Sequence, residues 1–441
     1  MANIGKYEIL RELGNGATST VFLGLDPFNN QLVAIKRFHP EILHAPGLAQ
    51  SHQKPLQQEV SLAGMLSHPH IVKVLDSIQN ESENYMVMEY VEGESLSYYT
   101  HISRLLPFSA LAEIIYKCCK ALEYAEQQGV IHRDIKPANI LLCGESDIKI
   151  SDFGAAIAIR QKTTHIVGAG SPAYMSPEQV NEQALTHQTD IYSLGVTMYQ
   201  LLTGKLPFEA NNNFSLIYQI INESPPSPAK YRPDIPLALE AIVLHAMQKN
   251  RSLRYAKWNQ FASDLTNFFC SKENPHEGIL DSEKFNILRQ LAFFKNFTDV
   301  ELWEVLRISF WRKISKGELI LREGAQGRDF YILGTGTVKV FKQQTLLNIL
   351  NTGDCFGEMA HLSDQDFIRT TDVIADSDVT LICINPDALE KATTGCRFKV
   401  DGAFLRLLVE RLNLANIRAS QLPATLMSEG AIRVINFNKP N

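Results

Sequence analysis

From Tyr7 to about Val91 apolar and polar residues alternate in short runs, as in Tyr85-Met86-Val87-Met88-Glu89-Tyr90. A period of two sends successive side chains to opposite faces of a strand, so this stretch predicts a mostly β lobe. One helical stretch interrupts it, from Pro55 to Leu66. From Leu105 to Phe269 the period lengthens to that of helices. The clearest is Leu111 to Gln128, stopped by Gly129, a residue that accepts the left-handed conformation closing a helix. The polar text from Cys270 to Glu283, with Pro275 and Gly278, predicts a linker. Beyond it, Ser315 to Ile384 is rich in glycine and in β-branched runs such as Gly336-Thr337-Val338-Lys339-Val340-Phe341, which predicts an antiparallel roll. Helical text flanks the roll, from Phe285 to Phe310 and from Gly402 to Ile417. In the second of these, Phe404, Leu405, Leu408, Leu412 and Leu414 recur at roughly helical spacing; such an apolar face could cap a nucleotide, meet another subunit or pack on the roll, and packing on the roll is expected.

Length and charge narrow the picture. A chain of 441 residues exceeds the size at which one core stops growing, so two or three domains are expected. Hydrophobic residues at 45 % and charged residues at 20 % suit a globular protein. The net charge of −6 has no basic block behind it, which argues against nucleic acid as a partner. No apolar run reaches the roughly 18 residues of a membrane span, and Met1 to Gly5 has no leader-like pattern. A cytoplasmic protein is therefore expected. Seven cysteines are scattered apart from the pair Cys118 and Cys119, without C-x-x-C spacing, so buried reduced thiols are expected.

The first set of candidate chemistry lies in the first 154 residues. Gly14 and Gly16 sit in a turn between two predicted strands, where missing side chains let backbone N–H groups approach phosphate oxygens. Two glycines also suit a plain hairpin, so context decides. Val33-Ala34-Ile35-Lys36 follows on an alternating strand, and Glu59 on the next helical stretch offers the lysine a partner. The string His132-Arg133-Asp134-Ile135-Lys136-Pro137-Ala138-Asn139 puts a carboxylate, a lysine and an amide in one loop: a proton acceptor, a phosphoryl contact and a metal ligand. Asp152-Phe153-Gly154 adds a second oxygen donor of the kind Mg²⁺ takes.

In this order the motifs resemble the eukaryotic-type protein kinase family, most closely its bacterial serine/threonine branch, over residues 7–269. The resemblance implies an α+β protein with a bilobal kinase fold, followed by a linker over 270–283, a small β-roll domain with flanking helices over 284–420 and a tail over 421–441. It implies ATP and Mg²⁺ as cofactors and protein hydroxyls as substrate. By the same similarity Asp134 is the base and Lys136 meets the γ-phosphate, the lysine being typical of serine/threonine members. Asn139 and Asp152 hold metal. Gly14, Gly16, Val21, Ala34, Lys36, Glu59, Met88 as gatekeeper, Glu89 and Val91 form the ATP site. Glu178 of Ser176-Pro177-Glu178 pairs with Arg254, and Asp190 braces the catalytic loop. Ser19 and Ser176 depart from the family pattern, standing for a glycine and an alanine. Thr163 and Thr164 are candidate phosphosites with Arg133 as phosphate partner, and Ser171 is a candidate substrate-docking hydroxyl.

Gly353-Asp354-Cys355-Phe356-Gly357-Glu358-Met359-Ala360 is followed, eleven residues after the glutamate, by Arg369-Thr370-Thr371. A glycine-led turn, a carboxylate for a ribose hydroxyl and an arginine for phosphate are complementary parts of one site. The stretch resembles the phosphate-binding cassette of the cyclic-nucleotide-binding family. That implies Glu358 on the ribose and Arg369 on the cyclic phosphate of cyclic AMP or cyclic GMP, with Gly357 and Thr370 beside them. The glutamate-to-arginine spacing exceeds that of the usual cassette, so residues Ser363 to Ile368 are expected to bulge. A surface ion pair between Glu358 and Arg369 is the alternative without a ligand. Three functions fit: a kinase regulated by cyclic nucleotide, a constitutive kinase whose roll only mediates assembly, and a kinase-fold scaffold. The residues leave the protein substrate and the oligomeric state open.

Overall fold

The computed structural model describes residues 3–16, 19–39, 64–79, 84–144, 146–153, 172–269, 279–358 and 368–420. The chain forms two compact units, Met1–Glu283 and Lys284–Asn441.

In the first unit the alternating text becomes a six-stranded antiparallel sheet: β1 (Asn3–Ile4), β2 (Tyr7–Asn15), β3 (Ser19–Asp26), β4 (Gln31–Phe38), β6 (Asn84–Glu89) and β5 (Val74–Gln79), in that spatial order. The period of two sorts the sheet's faces. Tyr7, Val33, Ile35, Tyr85 and Val87 share one core, whereas Ala34 packs with Met86 and Met88 on the other side. Lys36 lies across from Val21 on β3 and Met86 on β6, so strand register alone brings the lysine beside the glycine turn. Of the helix expected over Pro55 to Leu66, residues 55–63 lie outside the described residues, and Gly64 and Met65 are helical.

The helical lobe is built on α1 (Phe108–Gln127), which carries thirteen buried residues; its last turn is followed by Gly129 at φ +76°, the predicted stop. A three-stranded sheet, β7 (Glu94–Ser95), β8 (Ile140–Leu142) and β9 (Ile148–Ile150), presents the polar loops. Around it stand α2 (Pro177–Val180), α3 (His187–Thr203), α4 (Asn213–Asn222), α5 (Leu237–Ala246) and α6 (Trp258–Phe269). The expected linker ends early, because α7 (Asp281–Gln290) starts within it. Ser282 donates its N–H and hydroxyl to the Glu113 carboxylate at 3.0 and 2.7 Å, and Lys117 Nζ meets Asp281 at 2.8 Å. Partners on α1, far away in sequence, turn polar text that reads as linker into an anchored helix start. Residues 270–278 lie outside the described residues.

The second unit has two four-stranded antiparallel sheets. One joins β10 (Ser309–Ile314), β17 (Val379–Ile384), β12 (Phe330–Thr335) and β15 (Cys355–Phe356); the other joins β11 (Leu319–Leu321), β16 (Asp372–Ala375), β13 (Val338–Lys342) and β14 (Thr345–Leu350). Leu321, Leu333, Val338, Phe356, Val373 and Leu381 share their core. Gly336, between β12 and β13, has φ +89°, and a Cβ there would stand 2.5 Å from the Asp378 carbonyl oxygen, so the turn needs glycine.

Two helix expectations are corrected. The text from Phe285 to Phe310 is broken: α7 ends at Gln290, α8 (Asp299–Ile308) restarts from a capping box of Thr298 and Glu301, and Phe310 belongs to β10. The final helix begins earlier than Gly402, as α10 (Thr394–Ser420) after the short α9 (Pro386–Leu389). Phe404 is buried, but Leu405 and Leu412 are 64 % and 61 % exposed, so only part of the expected face packs on the roll. The side chain of Leu414 lies outside the described residues. Among the described residues six cysteines are free, five of them buried, and no helix is long and apolar enough to cross a membrane.

Candidate functional site

The loop after α1 is held from below by Asp190 in the first turn of α3. Its carboxylate accepts from the N–H groups of His132 and Arg133, both at 2.7 Å. Burial pushes the Asp190 carboxyl upward in pKa, against the opposing influence of His132, Arg133 and those N–H donors. Arg133 sits at φ +66°, a conformation that a side chain resists and that the two bonds help to hold. Asp134 then meets Lys136 Nζ at 2.7 Å and Asn139 Nδ2 at 3.0 Å. The same Asn139 amide donates to the Asp134 carbonyl at 2.8 Å. With its nitrogen so engaged, Asn139 keeps its oxygen as the acceptor for a cation.

Asp152 lies across from this loop, at φ +65°, and accepts from Lys36 Nζ at 2.6 Å. Burial raises its pKa, but the Lys36 charge and hydrogen bond, helped by His132 and Lys136, outweigh that and hold the carboxyl below its ordinary value. A carboxylate kept ionised and an amide oxygen suit Mg²⁺. Lys36, Phe38, Met86, Met88, Asp152 and Phe153 line a small cavity beside the pair. The Gly14–Gly16 turn is closed by the Gly16 N–H on the Ser19 carbonyl at 2.9 Å, and Gly14 lies opposite Val21. Glu59, Gly154, Thr163, Thr164 and Ser171 lie outside the described residues.

The structure brings Arg254 to Glu178 at 2.8 Å, both buried, with Thr189 donating to the same carboxylate at 3.0 Å. Ser176 caps α2 in a capping box with Gln179, whose side-chain amide donates to the Arg133 carbonyl at 2.8 Å. The serine that departs from the family pattern thus starts a helix that fastens the loop carrying Arg133 and Asp134. Gln179 was missed as a functional residue, although serine followed three residues later by glutamine is a readable cap signature.

In the second unit Glu358 and Arg369 are both buried, and each has partners other than the other. Arg369 donates to the carbonyls of Gly357 at 3.0 Å and Asp329 at 2.7 Å. A Cβ at Gly327 or Gly357 would stand 2.9 or 2.8 Å from its guanidinium, so two glycines make room for it. Glu358 accepts instead from Arg411 of α10, which also donates to the Cys355 carbonyl. The alternative, a surface ion pair of Glu358 with Arg369, is therefore not formed. Arg411 was missed, being readable only as one more cation on a helix. A cavity of about 270 Å³ is lined by Val340, Leu347, Glu358, Arg369, Thr370 and Arg411, with Gly357 also at its wall. Of the expected bulge, Ser363 to Phe367 lie outside the described residues, while Ile368 bridges to Gln326.

Comparison with known proteins adds two matches. The profile described as protein kinase domain matches residues 7–271, and that described as cyclic nucleotide-binding domain matches residues 311–394. Serine/threonine-protein kinase PknB of Mycobacterium leprae is 35 % identical over 267 residues, covering 59 % of this chain and 42 % of that protein. Serine/threonine-protein kinase PrkC of Bacillus subtilis is 35 % identical over 268 residues, covering 60 % of this chain and 41 % of that protein. The chain thus spans about two fifths of the length of these relatives.

Proposed function

The chain belongs to the protein kinase family, and from that premise we propose that it transfers the γ-phosphate of ATP to serine or threonine hydroxyls of protein substrates under control of a cyclic nucleotide bound in its second unit. The observation that carries the first half is the convergence of Asp134, Lys136 and Asn139 in one bonded loop, with Asp152 bonded to Lys36 of the six-stranded sheet. A scaffold has no physical need for a base and two metal ligands together.

Asp134 accepts the proton of the attacking hydroxyl, and Lys136, now resting on Asp134, turns to the γ-phosphate. Lys36 meets the α- and β-phosphates over the turn of Gly14 and Gly16, where Glu59 would hold its head group. Asn139 and Asp152 would hold Mg²⁺, which would neutralise charge on the phosphates. Val21, Ala34 and Met88 enclose the base, and backbone groups of Glu89 to Val91 meet adenine. Thr163 and Thr164 are the proposed phosphosites.

The control site rests on the 270 Å³ cavity and its two opposed charges. Arg369 would exchange carbonyl partners for the cyclic phosphate, and Glu358 would exchange Arg411 for the ribose 2′-OH, with Gly357 and Thr370 alongside. A ligand that makes α10 release Glu358 binds one arrangement better than another, which regulation requires. The full chain with Mg²⁺ and ATP is expected to phosphorylate serine or threonine in itself or in a basic test protein. Cyclic AMP or cyclic GMP is expected to change that rate by about 5- to 150-fold. No transfer by freshly purified protein would refute the kinase reading. Calorimetry without binding of either nucleotide at about millimolar concentration, a Kd worth only about 4 kcal/mol, would refute the regulatory half alone.

A further inference from the structure

Glu89, the last residue of β6, does more than end a strand. Its Oε1 accepts from Lys149 Nζ at 2.5 Å and from the Lys73 N–H at 2.8 Å, while its own N–H donates to the Lys73 carbonyl at 2.9 Å. Lys149 is the middle residue of β9, three residues before Asp152. The pair therefore joins the end of the six-stranded sheet to the strand that delivers the proposed metal ligand. Backbone bonds already bring these segments together, the Val72 N–H to the Ile150 carbonyl and the Ile150 N–H to the His70 carbonyl, both at 2.9 Å. Those bonds set how closely β9 approaches. The side-chain pair fixes the end of β6 against it. The Lys149 side chain is only 17 % exposed and that of Glu89 30 %, so both charges are partly withdrawn from water and their attraction is less screened than on an open surface.

We infer that Lys149 is a positioning residue for the nucleotide: through Glu89 it fixes the spacing between the adenine-binding backbone at residues 89–91 and the metal ligand Asp152. The inference rests on the kinase reading above. ATP is one covalent ligand of limited reach that must contact both places at once, so a looser spacing weakens its binding before it slows the transfer step. The expected signature is a split between KM and kcat rather than a general loss.

Lys149→Met in the full chain is expected to raise KM for ATP about 3- to 10-fold with kcat kept within about twofold. Lys149→Arg, which keeps the charge, should return KM to within about twofold of wild type. The Kd of MgATP by calorimetry should move in parallel with KM. Unchanged KM and Kd in Lys149→Met would overturn the inference, as would equal losses in kcat and kcat/KM or an arginine variant that fails to rescue. If Lys149→Met does not fold, Lys149→Gln carries the same test. A wild type that binds MgATP without transferring phosphate refutes the kinase reading, and the Kd series then decides the inference alone. A wild type that binds no MgATP refutes both.

Discussion

The two candidate sites are both proposed to meet phosphate, yet they hold their charges differently. In the first unit the acid and the cation that would share one nucleotide, Asp152 and Lys36, already touch, and the neighbouring loop is tied down by Asp190. In the second unit the corresponding groups are engaged elsewhere: Arg369 is spent on two carbonyls and Glu358 on Arg411. Catalysis gains when donors and acceptors stand ready before the substrate arrives, because nothing must reorganise at the reacting moment. A sensor gains from the opposite, since a ligand that only fills a ready site shifts nothing. The proposed exchange of partners at Glu358 is where binding energy would become movement of a helix.

The comparison breaks most sharply at Asp134. Asp134→Asn keeps the shape of the loop and its contact with Asn139 but removes the proton acceptor, so transfer should fall about 10²- to 10⁴-fold while ATP still binds. Radiolabel transfer alongside calorimetry checks it, and a rate within a factor of a few of wild type would show that the ready-made arrangement is not catalytic.

Next in size is the buried ion pair at α2. Arg254→Ala leaves the Glu178 carboxylate buried without its cation, which should cost about 3–5 kcal/mol in denaturant unfolding of the first unit. The same pair predicts a pH response. Burial raises the Glu178 pKa, but the hydrogen bonds and charge of Arg254, with the Thr189 hydroxyl, hold it below the ordinary 4.5. A carboxyl depressed in the folded state stabilises above its unfolded pKa and loses that stabilisation as pH falls through the folded value. The stability gap between wild type and Glu178→Gln should therefore shrink from about pH 5 downward, and a constant gap to pH 3 would show that Arg254 does not set the carboxyl.

How much of this was legible follows from how local each signal is. The loop from His132 to Asn139 and the strand register that carries Lys36 lie within a few residues of their own pattern, and period two is enough to sort Lys36 from Ile35. The Asp281 helix start was not legible, because its polar residues are satisfied by Glu113 and Lys117 on a helix elsewhere in the chain. The break after Gln290 was written in the Thr298 and Glu301 cap, but apolar residues on both sides masked it. Arg411 is the hardest case, since nothing near it in sequence distinguishes a cation that enters a pocket from one that meets water.

In the second unit the larger effect belongs to Arg369. Its two bonds to carbonyls would become charge-assisted bonds to phosphate, each worth about 1.5–3 kcal/mol. Arg369→Ala should weaken cyclic nucleotide binding about 100-fold, read as Kd by calorimetry on the full chain. A change of less than about threefold would return the cavity to a purely structural role.

The smallest effect carries the opposite sign and tests the comparison most closely. If Glu358 is withheld by Arg411, a ligand has to break that pair before its ribose can be met, and removing the arginine should help binding. The Arg411 side chain is 35 % exposed, so its pair with Glu358 is screened on one side and worth no more than about 1 kcal/mol. Arg411→Ala should therefore tighten cyclic nucleotide binding by no more than about fivefold, while reducing the ligand-dependent change in kinase rate, because α10 then has no partner to surrender. Calorimetry and the phosphorylation assay on one preparation read both quantities. Weaker binding in Arg411→Ala would mean that the arginine travels with the ligand and contacts it directly. The second site would then be as preformed as the first, and the contrast between a ready site and a withheld one would fail.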